Sequence, residues 1–158
     1  MSVRRIVIDA CVAVKWALRD EDAIARGDHV LADPGTGNLD VLAPALLDYE
    51  VGNALRVASV RGRIPEAQAA AALAQLGAVE MERHPFGATR ALAFDLAFRY
   101  GRSLYDASYL ALAATNGLLL YTGDRRLNNA VSSQLPWIRW IGDYRLEDIP
   151  ELPDAGSP

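Results

Sequence analysis

Four acidic residues stand where chemistry is usually placed: Asp9, Glu50, Asp106 and Asp124. Asp9 closes the apolar run Arg5-Ile6-Val7-Ile8, and Asp124 follows Tyr121-Thr122-Gly123. Both runs read as buried parallel strands, and at the carboxyl ends of such strands neighbouring loops diverge and leave a crevice. Taken singly, each aspartate also reads as the N-cap of a following helix. Asp106 has capping-box spacing from Ser103 and a first-turn position that the helix dipole favours. Its neighbours from Leu104 to Ala113 are nonetheless largely apolar, and an acid buried among them needs a partner or a metal. Glu50 falls at the margin of the helical face formed by Leu47, Val51, Ala54, Leu55 and Ala58, with Asn53 one turn further along its side. As a single residue it reads equally well as a solvated boundary position.

The constellation carries more than its members. Carboxylates brought to one sheet end repel one another, and a hard divalent cation with oxygen ligands relieves that repulsion. Mg2+ or Mn2+ fits such a donor set. Zinc fits less well: Cys11 is the single cysteine, and His29 and His84 lack ligand spacing and are expected at the surface or in loops. An ion of the first kind can lower the pKa of bound water, set it in line with a phosphodiester and stabilise the leaving oxygen. No covalent nucleophile is required.

The elements that must position these residues alternate. Strands are expected over Arg5–Ile8, Asp40–Leu42, Val79–Arg83, Leu118–Thr122 and Trp137–Ile141. Between them lie helices around Ala13–Leu18, Asp20–Leu31, Ala45–Arg61 and Glu66–Leu76, one from Pro85 to Tyr100, then Ala107–Thr115 and Arg125–Val131. Gly62, Gly101 and Gly117 serve as stops. This order predicts an α/β/α sandwich with a mostly parallel central sheet, in one domain over residues 1–149. Residues 150–158, with three prolines and a glycine, are expected to form a disordered tail.

The 158 residues are 51% hydrophobic, with charges interspersed, as in a globular protein and unlike a disordered one. A single cysteine excludes an internal disulfide and suits a reducing cytoplasm. The apolar run after Arg4-Arg5 ends at Asp9, too short for a signal-peptide core, and no stretch reaches the ~20 apolar residues of a membrane span. A cytoplasmic protein with no membrane partner is expected. The net charge of −4 at first opposes a nucleic-acid ligand. Setting aside four of the 20 acids, however, leaves a number equal to the 16 basic residues, and divalent ions would offset the four themselves. Arg102, Arg125 and Arg126 lie near the acids in sequence and suit phosphate, though they read equally as ordinary solvated arginines.

Four fragments in this order resemble the PIN-domain nucleases, in particular the VapC toxins of bacterial toxin–antitoxin pairs. They are Val7-Ile8-Asp9-Ala10-Cys11-Val12-Ala13, Glu50-Val51-Gly52-Asn53-Ala54-Leu55, the stretch from Tyr105-Asp106 to Ala113, and Tyr121-Thr122-Gly123-Asp124-Arg125-Arg126-Leu127. The likeness runs from Val7 to about Trp140. It implies that Asp9, Glu50, Asp106 and Asp124 form a metal-binding catalytic quartet, with Asp9 and Asp106 the first choice as direct ligands and with Thr122 and Asn53 in support. It further implies a metal-dependent endoribonuclease acting on single-stranded or looped RNA, a homodimer, and inhibition by a cognate VapB-type antitoxin. Cys11 departs from the serine or threonine common there, and a thiol is a poorer donor for a supporting hydrogen bond.

Two rivals are weaker. A phosphatase with an aspartate nucleophile wants a second acid two residues after the first, where Cys11 stands. A receiver domain wants a late lysine, and the only lysine is Lys15. The nearer alternative is a PIN-like domain that binds RNA or protein without cutting it.

Overall fold

The structure is a computed structural model that describes residues 3–19 and 24–152. Five strands lie in the order β3-β2-β1-β4-β5, all parallel: β1 (Val3–Ile8), β2 (Leu39–Pro44), β3 (Glu82–His84), β4 (Leu119–Thr122) and β5 (Ile138–Trp140). Helices α1 (Ala10–Val14), α2 (Ile24–Ala32), α3 (Leu46–Val60), α4 (Glu66–Ala78), α5 (Arg90–Tyr100), α6 (Leu104–Asn116) and α7 (Arg125–Val131) fill the connections. The chain leaves β1 towards β2 and β3, then returns across β1 to β4 and β5. With right-handed crossovers, that reversal puts helices on both faces, which is the α/β/α arrangement expected. Within the helical layers α1, α3 and α4 pack together, and α5 packs on α6.

The reversal also sets the site. It leaves a crevice between β1 and β4, and every helix that follows a strand, or that leads back into one, has one end at the carboxyl edge of the sheet. Ile6, Val7 and Ile8 of β1 and Leu120 of β4 have no solvent exposure, so these two strands are fixed by core on both sides. From Ala107 to Ala113 every residue of α6 is buried, which leaves only its first turn, with Asp106, to reach the edge.

Several boundaries differ from those read in the sequence. The first helix begins at Ala10, three residues early, because Asp9 itself caps it. The third strand is Glu82–His84 and not Val79–Arg83, since α4 runs on to Ala78 and its C-terminal turn consumes the leading residues. His84 therefore lies in a strand, paired with Glu82 at 3.3 Å, and His29 lies in α2. Residues 20–23 of the expected second helix lie outside those described. The domain does not stop at residue 149: Glu151–Leu152 forms β6, antiparallel to β1 through Val3↔Leu152 and Arg4↔Glu151. Arg4 explains this, bonding to Glu151 at 2.7 Å and donating to the Ile149 carbonyl at 3.1 Å. Residues 153–158 lie outside those described. Among the described residues, no helix is long and apolar enough to cross a membrane.

Candidate functional site

Asp9 is 4% exposed and is held by three donors. Its Oδ1 accepts from the amides of Val12 at 3.0 Å and Gly123 at 3.2 Å, and its Oδ2 accepts from the Thr122 hydroxyl. Thr122 has no solvent exposure, and its Oγ1 accepts in turn from the Asp124 amide at 2.9 Å. The ends of β1 and β4 are thus laced together through side chains. Gly123 makes the lacing possible: a Cβ there would lie 2.8 Å from the carbonyl carbon of Cys11, closer than packed atoms come. Asp124 caps α7, its Oδ1 accepting from Arg126 at 2.8 Å and Leu127 at 3.4 Å. For Asp9 and Asp124 the capping role is real and leaves further lone pairs, because a carboxylate has about four acceptor positions.

Asp106 is placed by the other half of its helix start. Ser103 caps α6, accepting from the Asp106 amide at 3.0 Å. The reciprocal bond of a capping box is not made, so the half-buried Asp106 carboxylate keeps its oxygens clear of the cap. Glu50, in the second turn of α3, accepts from the hydroxyl of Tyr109 on α6. Sequence reasoning passed over Tyr109. The signal available was its position one turn after Asp106, a polar head in a helix of small and apolar residues.

Electrostatics ties the four acids into one neighbourhood. Burial, countered by the bonds to Thr122, Gly123 and Val12 and reinforced by the charge of Asp124, raises Asp9 to about 6. Burial and the charge of Asp106 raise Glu50, against the Tyr109 bond. Cys11 is exposed as a residue, yet burial of its thiol and the charges of Asp9, Asp124 and Glu50 push its pKa well up, with Lys15 pulling the other way. A thiol so held stays protonated and is no nucleophile. Among the described residues, no arginine or lysine forms a salt bridge with any of the four acids. Nor do any three acid, histidine or cysteine side chains there stand close enough to grip one ion as placed. Asn53 is exposed on α3, one turn beyond Glu50.

The surroundings are basic and aromatic. Arg125 lies over the Trp140 ring at 4.0 Å, and the Lys15 ammonium is 5.7 Å from the same ring. Tyr49 and Tyr105, each beside a site acid, are 80% and 60% exposed.

The PIN domain family matches residues 6–131, spanning every strand and helix that carries these acids. The chain belongs to the PIN-domain family. Within it the chain is similar to VapC proteins: it is 35% identical to ribonuclease VapC3 of Mycobacterium tuberculosis over 126 residues, covering 80% of this chain and 87% of that one. Ribonuclease VapC9 of the same organism is 30% identical over 135 residues, 83% of this chain and 94% of its own length. Ribonuclease VapC1 is 44% identical over 85 residues, and the matched stretch spans 63% of its length. Among solved structures, PAE2754 from Pyrobaculum aerophilum superposes with a TM-score of 0.57 at 27% identity, covering 81% of this PIN-domain chain and 79% of the other.

Proposed function

We propose that this PIN-domain chain is a divalent-metal-dependent endoribonuclease, the toxin of a VapBC-type pair. One observation supports the reading: Asp9 and Glu50, on separate elements, have raised proton affinity, burial being the main cause and the neighbouring charges of Asp124 and Asp106 adding to it, and among the described residues none of the four acids is in a salt bridge with an arginine or lysine. The donor chemistry fits a hard cation. Asp106, the outer oxygens of Glu50 and Asp124 and one lone pair on Asp9 are uncommitted, all are oxygens, and added positive charge would draw them together. Asp9, Glu50, Asp106 and Asp124 would hold Mg2+ or Mn2+, which when bound supplies an activated water and charge stabilisation at the phosphodiester.

The remaining work falls to the chain itself. Thr122 and the Gly123 amide orient Asp9, and the exposed Asn53 side chain, one turn beyond Glu50, would play a supporting part. Arg125, steadied on Trp140, offers a cation to phosphate, while exposed Tyr49 and Tyr105 offer faces on which unpaired bases stack. That pairing of features favours single-stranded or looped RNA. Phe94 and Phe98, edge-to-face at 5.0 Å on the surface of α5, form an apolar patch suited to a second chain, in keeping with a homodimer and a VapB-type antitoxin.

The test is cleavage of a structured RNA pool by antitoxin-free protein with Mg2+ or Mn2+ against EDTA, beside Asp9→Ala and Asp106→Ala prepared identically. Metal-dependent cutting lost in both variants is expected. Equal cutting by the variants would mean contamination, and RNA binding without cutting would favour the non-catalytic alternative.

A further inference from the structure

Among the described residues, Glu50 is the one acid of the four held by a single protein donor. We infer that Tyr109 is a positioning residue for it: the phenol keeps the Glu50 carboxylate at the site edge, ready for a cation, and its loss weakens metal loading without removing a ligand. The inference rests on the metal-site reading above.

Asp106 and Tyr109 are three residues apart on α6, so they share a face, and both act on Glu50 from across the gap to α3. They act in opposite senses. The like charge of Asp106 repels the Glu50 carboxylate, whereas the Tyr109 hydroxyl donates a hydrogen bond to it. Glu50 is only half-buried, so without the phenol its carboxylate is free to swing towards water and away from Asp106. Tyr109 itself is 2% exposed and its ring cannot follow. It pins a flexible, repelled ligand against a fixed point. Thr122 does the equivalent for Asp9 with a fully buried hydroxyl. Groups that orient metal-binding carboxylates in this way commonly govern affinity by 10–100-fold when removed.

The experiment is Mn2+ titration followed by electron paramagnetic resonance of the free ion, on wild type, Tyr109→Phe and Tyr144→Phe. Tyr144 is the control, because it is likewise a buried tyrosine whose hydroxyl donates to a carboxylate, that of Asp33 at 2.6 Å, which is not one of the four acids. The Tyr109→Phe variant is expected to bind Mn2+ about tenfold more weakly, with Tyr144→Phe unchanged, and raising Mn2+ should restore its cutting rate. In a Glu50→Gln background, which needs no change in the core, Tyr109→Phe should add nothing. Wild-type affinity in Tyr109→Phe, or an equal loss in Tyr144→Phe, would overturn the inference while leaving the metal site standing. Absence of Mn2+ binding by the wild type would overturn both.

Discussion

The buried hydroxyl of Thr122 donates to the carboxylate of Asp9, joining the last residue of β4 to the residue that follows β1. Two neighbouring strands are thereby closed at their carboxyl ends by a polar contact, above the apolar residues Ile6, Val7, Ile8 and Leu120. The contact lowers the proton affinity of Asp9, but burial outweighs it and leaves the group near 6, above its ordinary 3.8.

A pH dependence follows with a definite sign. Between about 4 and 6 the folded state binds more protons at Asp9 than the unfolded chain, so stability falls as pH rises through that window. A shift of this size corresponds to roughly 3 kcal/mol. Metal-free protein should therefore resist urea better at pH 5 than at pH 7.5, and Asp9→Asn should flatten the difference. Urea melts of both proteins in EDTA, at the two pH values, check it.

The same destabilising charge should make added cation stabilising. Mg2+ or Mn2+ at a hundred times its dissociation constant is expected to stabilise the wild type by about 2.7 kcal/mol. Thermal melts should move upward with metal for wild type and barely for Asp106→Asn. Equal shifts in both proteins would count against Asp106 as a ligand.

Gly123→Ala tests the close passage of the β4–α7 turn over Cys11. The new methyl meets backbone, which cannot swing aside as a flexible side chain would. A cost of about 1–3 kcal/mol is expected, lowering the melting temperature by roughly 5 °C. Because the Gly123 amide bonds Asp9, metal affinity should fall with it.

Arg125→Ala tests the cation on Trp140. If Arg125 meets a phosphate, RNA affinity should drop and the slope of log affinity against log salt should shrink by about 0.7, the value for one contact on a single strand. Arg99→Ala, removing an arginine paired with Asp95 at 2.7 Å on α5, should leave the slope alone.

The strand-and-helix order was legible because β1 and β4 are short apolar runs that break off at Asp9 and Gly123, and α6 is marked at both ends, by Ser103 and by Gly117 with its positive φ of 65°. The acids at strand ends were legible for the same reason. What the sequence hid depends on distance across the chain. Nothing local tells that Tyr109 faces Glu50, 59 residues away, or that Arg4 holds Glu151 and draws residues after Pro150 into the sheet. The third strand starts three residues later than read because α4 runs on to Ala78, past Leu76 where the sequence pattern ended it.

The pairing of β6 with β1 brings Leu152 beside Val3, at the amino end of the sheet and opposite the acids. A short glycine-serine bridge between those two residues would close the backbone into a ring without crossing the crevice. New termini could then be opened at the exposed Arg61–Arg63 turn between α3 and α4, and such a permuted chain should assemble the same sheet edge from a different starting point.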